Sequence, residues 1–482
     1  MRDRKVVMGL MSLTVYELNS FSKYVHSPYF NVNQNINQYF NIIEHAIKNG
    51  LVDQLNPNEI WGQIFPTIPY HNQKFLKLNS DLLNLLENFL AQKEYEASEI
   101  LQANFKLEGA KKRNITKLYN GIIGELERLR LNDINQSVEF YYNKYLIERN
   151  LFNLKTENEK KNEKIEISTE LNIKDISDQL EYFYIAEKLR LYCTLLSWKK
   201  MYKLDMELGN MEYILNRANE LPYRDIPAIK IYNRMSQTYS DESNIQNYYD
   251  LRNFTKNYLH LFPAEEQKEI YATLLSYCIN KINKNQQNFF KETFEVYKDG
   301  LENGVLLLDG ELSVTTYRNI SIAALRVEEF SWAENFIYEY AKYVDEKYRN
   351  NAVEFSLARL EFYRKNFDKV IEHLYKVTYE DVWYNINAKT LLLASYFELD
   401  ELDALESLLQ AFKMFINREK SLSGDRKIHY LNLVKFTNQL IKIHPRDKIK
   451  LEKLKTEIEE TKGVVSKPWL LEKVEHLLKK AK

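Results

Sequence analysis

The sequence predicts an all-α protein built from stacked helix pairs, and three observations support that prediction. Apolar residues recur with helical spacing along most of the 482 residues. Gly and Pro number only 12 and 9, too few for a fold with many tight turns. A helix-pair pattern also recurs three times within residues 314–412, with Phe330, Phe367 and Leu402 as equivalent anchor residues in its second helix.

The N-terminal residues 1–154 are predicted to form a helical bundle. Pro28, Gly50 and Pro66 mark the ends of its first three helices. A wide apolar stripe from Phe75 to Phe89 places the following helix at the centre of the bundle. The basic run Lys111–Lys112–Arg113 is expected to begin a helix. The predicted helices cover residues 12–27, 34–49, 57–65, 71–106 with a possible break, 110–131 and 134–153.

The segment L-T-V-Y-E-L-N-S-F-S-K-Y-V-H-S-P-Y-F-N at residues 13–31 resembles the opening of a group of all-helical proteins of Bacteroidota. Those proteins begin with an L-[ST]-x-x-E-x-x-x-F-x-K-[FY] helix that is followed by S-P-[YF]-[FL]-N. The group has no assigned activity. The resemblance therefore implies a helical fold and identifies no functional residue.

A charged segment follows the bundle. Residues 155–166 read K-T-E-N-E-K-K-N-E-K-I-E and offer almost no apolar side chain to a core. We therefore expect residues 155–172 to be a charged linker or a mobile insertion. Beyond it, residues 173–420 are predicted to form an array of helix pairs, whose first helices begin near residues 227, 266, 314, 351 and 386. Residues 421–482 are predicted to form a helical cap with a polar outer face.

The repeats of the array resemble degenerate tetratricopeptide repeats. The anchors lie 37 and 35 residues apart, and apolar residues follow each anchor at helical spacing. The family's early Trp is replaced by Tyr317, Glu354 and Lys389, and its Gly and terminal Pro are missing. The resemblance implies a superhelix of helix pairs and, more weakly, peptide binding. The residues after the anchors are Ala333, Ile337 and Tyr340, then Val370, Leu374 and Val377, and then Leu405, Leu409 and Phe412.

The concave face of such an array is the candidate binding site. In tetratricopeptide-like stacks the first helix of each pair lines this groove. Arginines beside aromatic rings there could bind an acidic peptide or a C-terminal carboxylate through bidentate hydrogen bonds. The alternative is that the arginines pair with acidic residues of neighbouring helices and the rings pack the seams. The predicted inward-facing residues are Arg318, Ile322, Arg326, Phe355, Arg359, Tyr363, Tyr396 and Phe397.

Sequence motifs for catalysis are lacking. The chain has no Gly-rich phosphate loop, no G-x-S-x-G and no H-E-x-x-H, and its eight His form no i, i+4 pair. Two S-x-x-K matches, at Ser20 and Ser197, lack the further motifs that such acyl-transfer enzymes need. We expect no catalytic residue, no cofactor and no metal site. An enzyme whose site is assembled from distant residues remains an alternative.

Charge and cysteine use give further expectations. The net charge is −1, Cys193 and Cys278 lie in apolar helical patterns, and no apolar run is long enough to cross a membrane. The basic, apolar N-terminus lacks a cleavage-site pattern, and Met8 or Met11 could equally be the natural start. These features predict a cytoplasmic protein without a membrane partner.

The leading hypothesis is a non-enzymatic scaffold or adaptor that binds a protein or peptide. A nucleic-acid-associated regulator is the alternative. It would use Lys111–Arg113 and residues 420–482, which contain 16 Lys and Arg against 8 Asp and Glu.

Overall fold

The computed structural model describes residues 1–132, 135–161, 172–202, 204–307, 310–378 and 382–480. Within these residues the chain forms 23 α-helices and five short 3-10 turns, with no β-strand. Neighbouring helices along the chain pack against each other. The predicted all-α class is therefore confirmed.

The chain divides into two compact units. Unit 1 comprises Met1–Lys188 and Asn216–Ile229, and unit 2 comprises Leu189–Leu215 and Lys230–Lys482. The domain limits placed at residues 154, 172 and 420 from the sequence remain predictions.

Unit 1 is built on α5, the central helix expected from the apolar stripe. Phe75 and Leu82 of α5 are inaccessible to solvent and pack with Phe21 and Phe40. Thr14 caps α2 through a reciprocal capping box with Glu17, which fixes where that helix begins. The helices of residues 1–202 are α1 Lys5–Met11, α2 Val15–His26, α3 Gln34–Lys48, α4 Pro57–Ile64, α5 Asn72–Ala97, α6 Glu99–Lys112, α7 Tyr119–Asn132, α8 Val138–Lys161 and α9 Ile173–Tyr202.

Two expectations for unit 1 need comment. The run Lys111–Lys112–Arg113 ends α6 and does not begin a helix, so that prediction was wrong. Lysines in a last helical turn interact favourably with the helix dipole. The predicted charged linker begins within α8, which continues to Lys161. Residues 162–171 of that linker lie outside the described residues.

Unit 2 contains the helix pairs and the helices that follow them. Its first helices α15, α17 and α19 contact one another in sequence, and each also contacts its own second helix. The helices of residues 211–480 are α10 Met211–Ala218, α11 Pro227–Ser240, α12 Ile245–Tyr258, α13 Ala264–Asn283, α14 Phe289–Glu302, α15 Val314–Arg326, α16 Phe330–Tyr340, α17 Glu346–Tyr363, α18 Phe367–Tyr375, α19 Val382–Glu398, α20 Leu402–Arg418, α21 Gly424–Lys442, α22 Lys448–Glu460 and α23 Lys467–Lys480.

The three predicted repeats share one connecting turn. Two residues before each anchor the chain turns left-handed, with φ of 63° at Glu328, 63° at Lys365 and 59° at Asp400. The next residue donates its backbone N–H to the carbonyl five residues earlier, which is the Schellman pattern of helix ends. These three turns are equivalent although none contains Gly. The donor and acceptor pairs are Glu329 and Ala324, Asn366 and Glu361, and Glu401 and Tyr396.

The residues that follow each anchor form the packed face of the second helix in each repeat. Most of the apolar positions named above are buried. The third anchor, Leu402, is itself 45% exposed. The repeat pattern therefore predicts burial of the residues after the anchor better than burial of the anchor. Tyr317, at the position of the missing Trp, is buried and donates its hydroxyl to the Ile337 carbonyl at 2.5 Å. It therefore ties the first helix of its repeat to the second.

Candidate functional site

Two of the predicted arginines meet over one tryptophan. The guanidinium carbon of Arg318 lies 3.9 Å from the ring centre of Trp383 and 5.0 Å from that of Tyr384. The guanidinium carbon of Arg359 lies 5.8 Å from the Trp383 ring and 5.2 Å from the Phe355 ring. Since these residues come from α15, α17 and α19, three successive first helices build one arginine–aromatic cluster.

The aromatic rings of this cluster support one another. Phe355, 1% exposed, packs edge-on to Trp383 at 5.2 Å and to Tyr384 at 5.3 Å between ring centres. Edge-to-face packing fixes ring orientation, and the face of each ring attracts a cation. The predicted site residue Phe355 is therefore the buried support of the cluster, and the two arginines lie on the rings around it.

Arg359 is held in an unusual electrostatic environment. One terminal nitrogen donates to Asn387 Oδ1 at 3.1 Å, while Nε is inaccessible to solvent and has no hydrogen-bond partner. The pKa of Arg359 is lowered to about 10, mainly by burial, and the charges of Arg326 and Arg318 act in the same direction. A buried cation beside like charges favours an anion at this position.

Arg318, Arg326 and Arg359 have no carboxylate partner among the described residues. Arg364, at the end of the same helix as Arg359, shows the contrast: it binds Glu334 at 2.5 Å and Glu361 at 3.1 Å. Within the described part of the chain no such ion pair is found for Arg318, Arg326 or Arg359. Among the described residues the acidic-partner alternative raised from the sequence applies to Arg364, and for the other three arginines it stays a prediction.

The remaining predicted groove residues lie in other surroundings. Arg326 is exposed near the Phe290 ring, and Ile322 lines a separate cavity of about 340 Å³. Tyr363 packs against Phe330, with ring centres 6.3 Å apart.

The last two predicted residues, Tyr396 and Phe397, belong to the core formed with the C-terminal helices. The Phe397 ring packs edge-on to Trp469 at 5.4 Å, and Tyr396 packs against the same core. Only Arg318, Phe355 and Arg359 of the predicted set are therefore in the cluster itself.

A cavity of about 550 Å³ adjoins the cluster and shares Trp383 and Asn387 with it. Its polar side chains include Arg426, which is exposed, and His429. Burial raises the pKa of the Tyr430 phenol, while the charges of Arg426 and Arg359 act to lower it. Tyr430 therefore lies within electrostatic reach of both arginines. The lining residues are Val382, Trp383, Ile386, Asn387, Ser421, Leu422, Arg426, His429, Tyr430 and Val465.

The cavity residues were not predicted from the sequence, for identifiable reasons. The first helix of the third pair, α19, was expected to begin near residue 386. In the structure it begins at Val382. That difference adds Trp383 and Tyr384 to the helix and brings them beside the arginines. Arg426 and Tyr430 belong to α21, which was assigned to the cap and not to the site. The neighbouring pair Trp383–Tyr384 was the one available signal in the sequence.

Some lysines of the basic C-terminal helices pair with carboxylates of neighbouring helices. Lys435 binds Glu457 at 2.6 Å, and Lys455 binds Glu475 at 2.7 Å. Lys473 binds Glu398 at 2.6 Å. These contacts tie α21, α22 and α23 to each other and to α19. They use lysines that the nucleic-acid alternative would need for phosphate contacts, and that alternative stays a prediction.

Comparison of the chain with protein-family models, with curated proteins and with solved structures finds no match. In the part of the chain that the structure describes, no group of three or more His, Cys, Asp or Glu side chains is placed to hold a metal ion. No helix among the described residues is both long and apolar enough to cross a membrane. The site geometry is therefore the basis for a functional proposal.

Proposed function

We propose that the chain is a non-enzymatic adaptor of tetratricopeptide-like helical repeats that binds an acidic segment of a protein partner. The observation that supports this most is the arginine–aromatic cluster of Arg318, Arg359, Phe355, Trp383 and Tyr384. Arg364 binds two carboxylates of the chain, whereas the described residues offer none to Arg318 or Arg359, which supports an external anion as their partner. Guanidinium groups held on aromatic rings are suited to bidentate contacts with carboxylates.

The repeat geometry supports the same proposal. Successive first helices lie side by side, so residues at equivalent positions of several repeats face one bound segment. The three equivalent Schellman turns and the buried Tyr317 support a tetratricopeptide-like origin of the pairs. We also place the adaptor in the cytoplasm, because Cys193 and Cys278 are buried free thiols.

The test is quantitative partner capture by cross-linking in the protein's own cells. The double variant Arg318→Glu with Arg359→Glu should capture at least tenfold less of the specific partner than the wild type does, because two attractive charges become repulsive. The matched control Lys413→Glu with Lys442→Glu makes the same charge change on α20 and α21, away from the cluster, and should retain the partner. Retention of every specific partner by the cluster variant would show that the groove assignment is wrong.

A further inference from the structure

The cavity beside the arginine–aromatic cluster has the size and lining of a small-ligand site. Its volume of about 550 Å³ falls within the roughly 300–1,000 Å³ typical of such sites. Trp383 and Tyr430 provide flat aromatic surfaces, and Ile386, Leu422 and Val465 add apolar contact. A planar ring is the group that this lining accommodates best, because it can stack on either aromatic side chain.

The polar side chains of the cavity are held in position. Asn387 accepts from Arg359 at 3.1 Å and donates to the Trp383 carbonyl at 2.8 Å, so it orients the arginine. His429 packs directly over Gly463, where an added Cβ would lie 2.1 Å from the imidazole Nε2. Asn387 and His429 therefore need not reorganise when a ligand enters, which reduces the entropy cost of binding.

The charge of the region favours a doubly charged anion. The charges of Arg326 and Arg318 act to lower the pKa of Arg359, and Arg426 adds a further cation at the cavity. The described residues give none of the four an ion pair. A phosphate monoester carries about −1.5 to −2 charges at neutral pH and three acceptor oxygens, whereas a carboxylate carries one charge. The phosphate therefore offsets more of the repulsion.

We propose that this cavity binds a phosphate monoester that carries a planar ring, with the ring against Trp383 and Tyr430 and the phosphate facing Arg426. Arg359 is not in the cavity lining and adds its charge from beyond the lining residue Asn387, to which it donates a hydrogen bond. This deepens the proposed adaptor function and rests on the same arginine–aromatic site. Two sources share this chemistry: a phosphotyrosine of the bound partner and a free mononucleotide. Asn387 is a positioning residue that acts through Arg359.

The test is isothermal titration calorimetry on the full chain with three probes. Phenyl phosphate combines ring and dianion, inorganic phosphate lacks the ring, and phenylacetate lacks the second charge. Phenyl phosphate should bind at least tenfold more tightly than either of the others. Equal binding of phenyl phosphate and one of the other probes, or no binding of any, would overturn the proposal.

The variant Arg426→Gln tests the geometry without risk to the fold, because Arg426 is exposed and makes no ion pair within the described residues. It should weaken phenyl phosphate binding at least tenfold with an unchanged melting temperature. The adjacent variant Lys427→Gln, which removes a charge that does not line the cavity, should bind as the wild type does. Unchanged affinity in Arg426→Gln would refute the assignment.

Competition against phenyl phosphate then identifies the source. Displacement by N-acetyl-phosphotyrosine amide indicates a phosphorylated partner, and displacement by AMP indicates a free nucleotide. Displacement by neither would contradict the proposed chemistry. If phenyl phosphate fails to bind while partner capture still depends on Arg318 and Arg359, this inference is wrong and the adaptor proposal stands. If phenyl phosphate binds but capture does not depend on these arginines, the adaptor proposal is the one that fails.

Discussion

Replacing Arg359 with Met should make the protein more stable while it removes ligand binding. Met retains most of the apolar stem of the side chain and removes the buried charge. The pKa of Arg359 is lowered from 12.5 to about 10, mainly by burial. At about 1.4 kcal/mol per pKa unit, this sets an upper limit of about 3.5 kcal/mol on the destabilisation that the charge causes.

The sign of this effect follows from the two protonation states. A cation whose pKa is lower in the folded chain binds its proton more weakly there, so the charged form destabilises the fold at every pH below about 10. The cost disappears only as the pH rises from about 10 to 12.5 and the guanidinium loses its proton in both states. At neutral pH the full cost is present, and Met removes it.

Part of the gain is offset by lost contacts. The hydrogen bond to Asn387 stabilises by about 1 kcal/mol, and the contacts with the Phe355 and Trp383 rings by about 0.5–1 kcal/mol. The expected net gain is about 1–2 kcal/mol. At about 2–4 °C per kcal/mol, the melting temperature should rise by about 2–8 °C.

The assay is urea unfolding of the full chain, compared with the variant Arg364→Met. Arg364 lies on the same helix end but is paired with Glu334 and Glu361, so its replacement should destabilise by about 1 kcal/mol or more. Opposite changes in the two variants are the expected result. If Arg359→Met destabilises as much as Arg364→Met does, the reasoning about an unpaired buried charge is refuted.

Three further predictions test separate features. Lys365→Gly should stabilise by up to about 1 kcal/mol, because Lys365 has φ of 63° and Gly relieves that strain; a lower urea midpoint would contradict this. Gly463→Ala should destabilise by more than about 1 kcal/mol and weaken phenyl phosphate binding, because its Cβ displaces His429; unchanged binding and stability would refute the contact. Burial acts to raise the pKa of Glu242, but bonds from two lysines outweigh it and lower that pKa to about 2. The stabilisation that the ionised Glu242 provides is complete above pH 4.5 and is lost towards pH 2. Glu242→Gln should therefore reduce the loss of stability between pH 6 and 3 by about 1 kcal/mol. An unaltered dependence of stability on pH would count against this.

Much of the fold could be predicted because its signals are local. The 3-4-3 spacing after Phe330 and Phe367 reflects one buried helix face, and a single sequence displays that directly. The error at Lys111–Arg113 has a local cause as well. A basic run gives the same composition whether it ends one helix or begins the next, and only the backbone hydrogen bonds of α6 decide between the two.

The candidate site could be predicted only in part because its residues come from distant segments. Repeat alignment brought Arg318 and Arg359 onto one face, since both occupy first helices. Trp383 escaped that alignment because the start of α19 was placed too late, and element boundaries are the weakest part of such inference. Arg426 and Tyr430 follow the array in sequence, so no periodic pattern could assign them to the cavity.

The central claim is that the arginine–aromatic cluster exists to bind an anionic group of a partner. Parallel cross-linked capture with the wild type, with Arg318→Glu plus Arg359→Glu, and with the Lys413→Glu plus Lys442→Glu control tests it most directly. The claim predicts at least a tenfold loss of the same partner in the cluster variant alone. Equal recovery of that partner by all three proteins would contradict it.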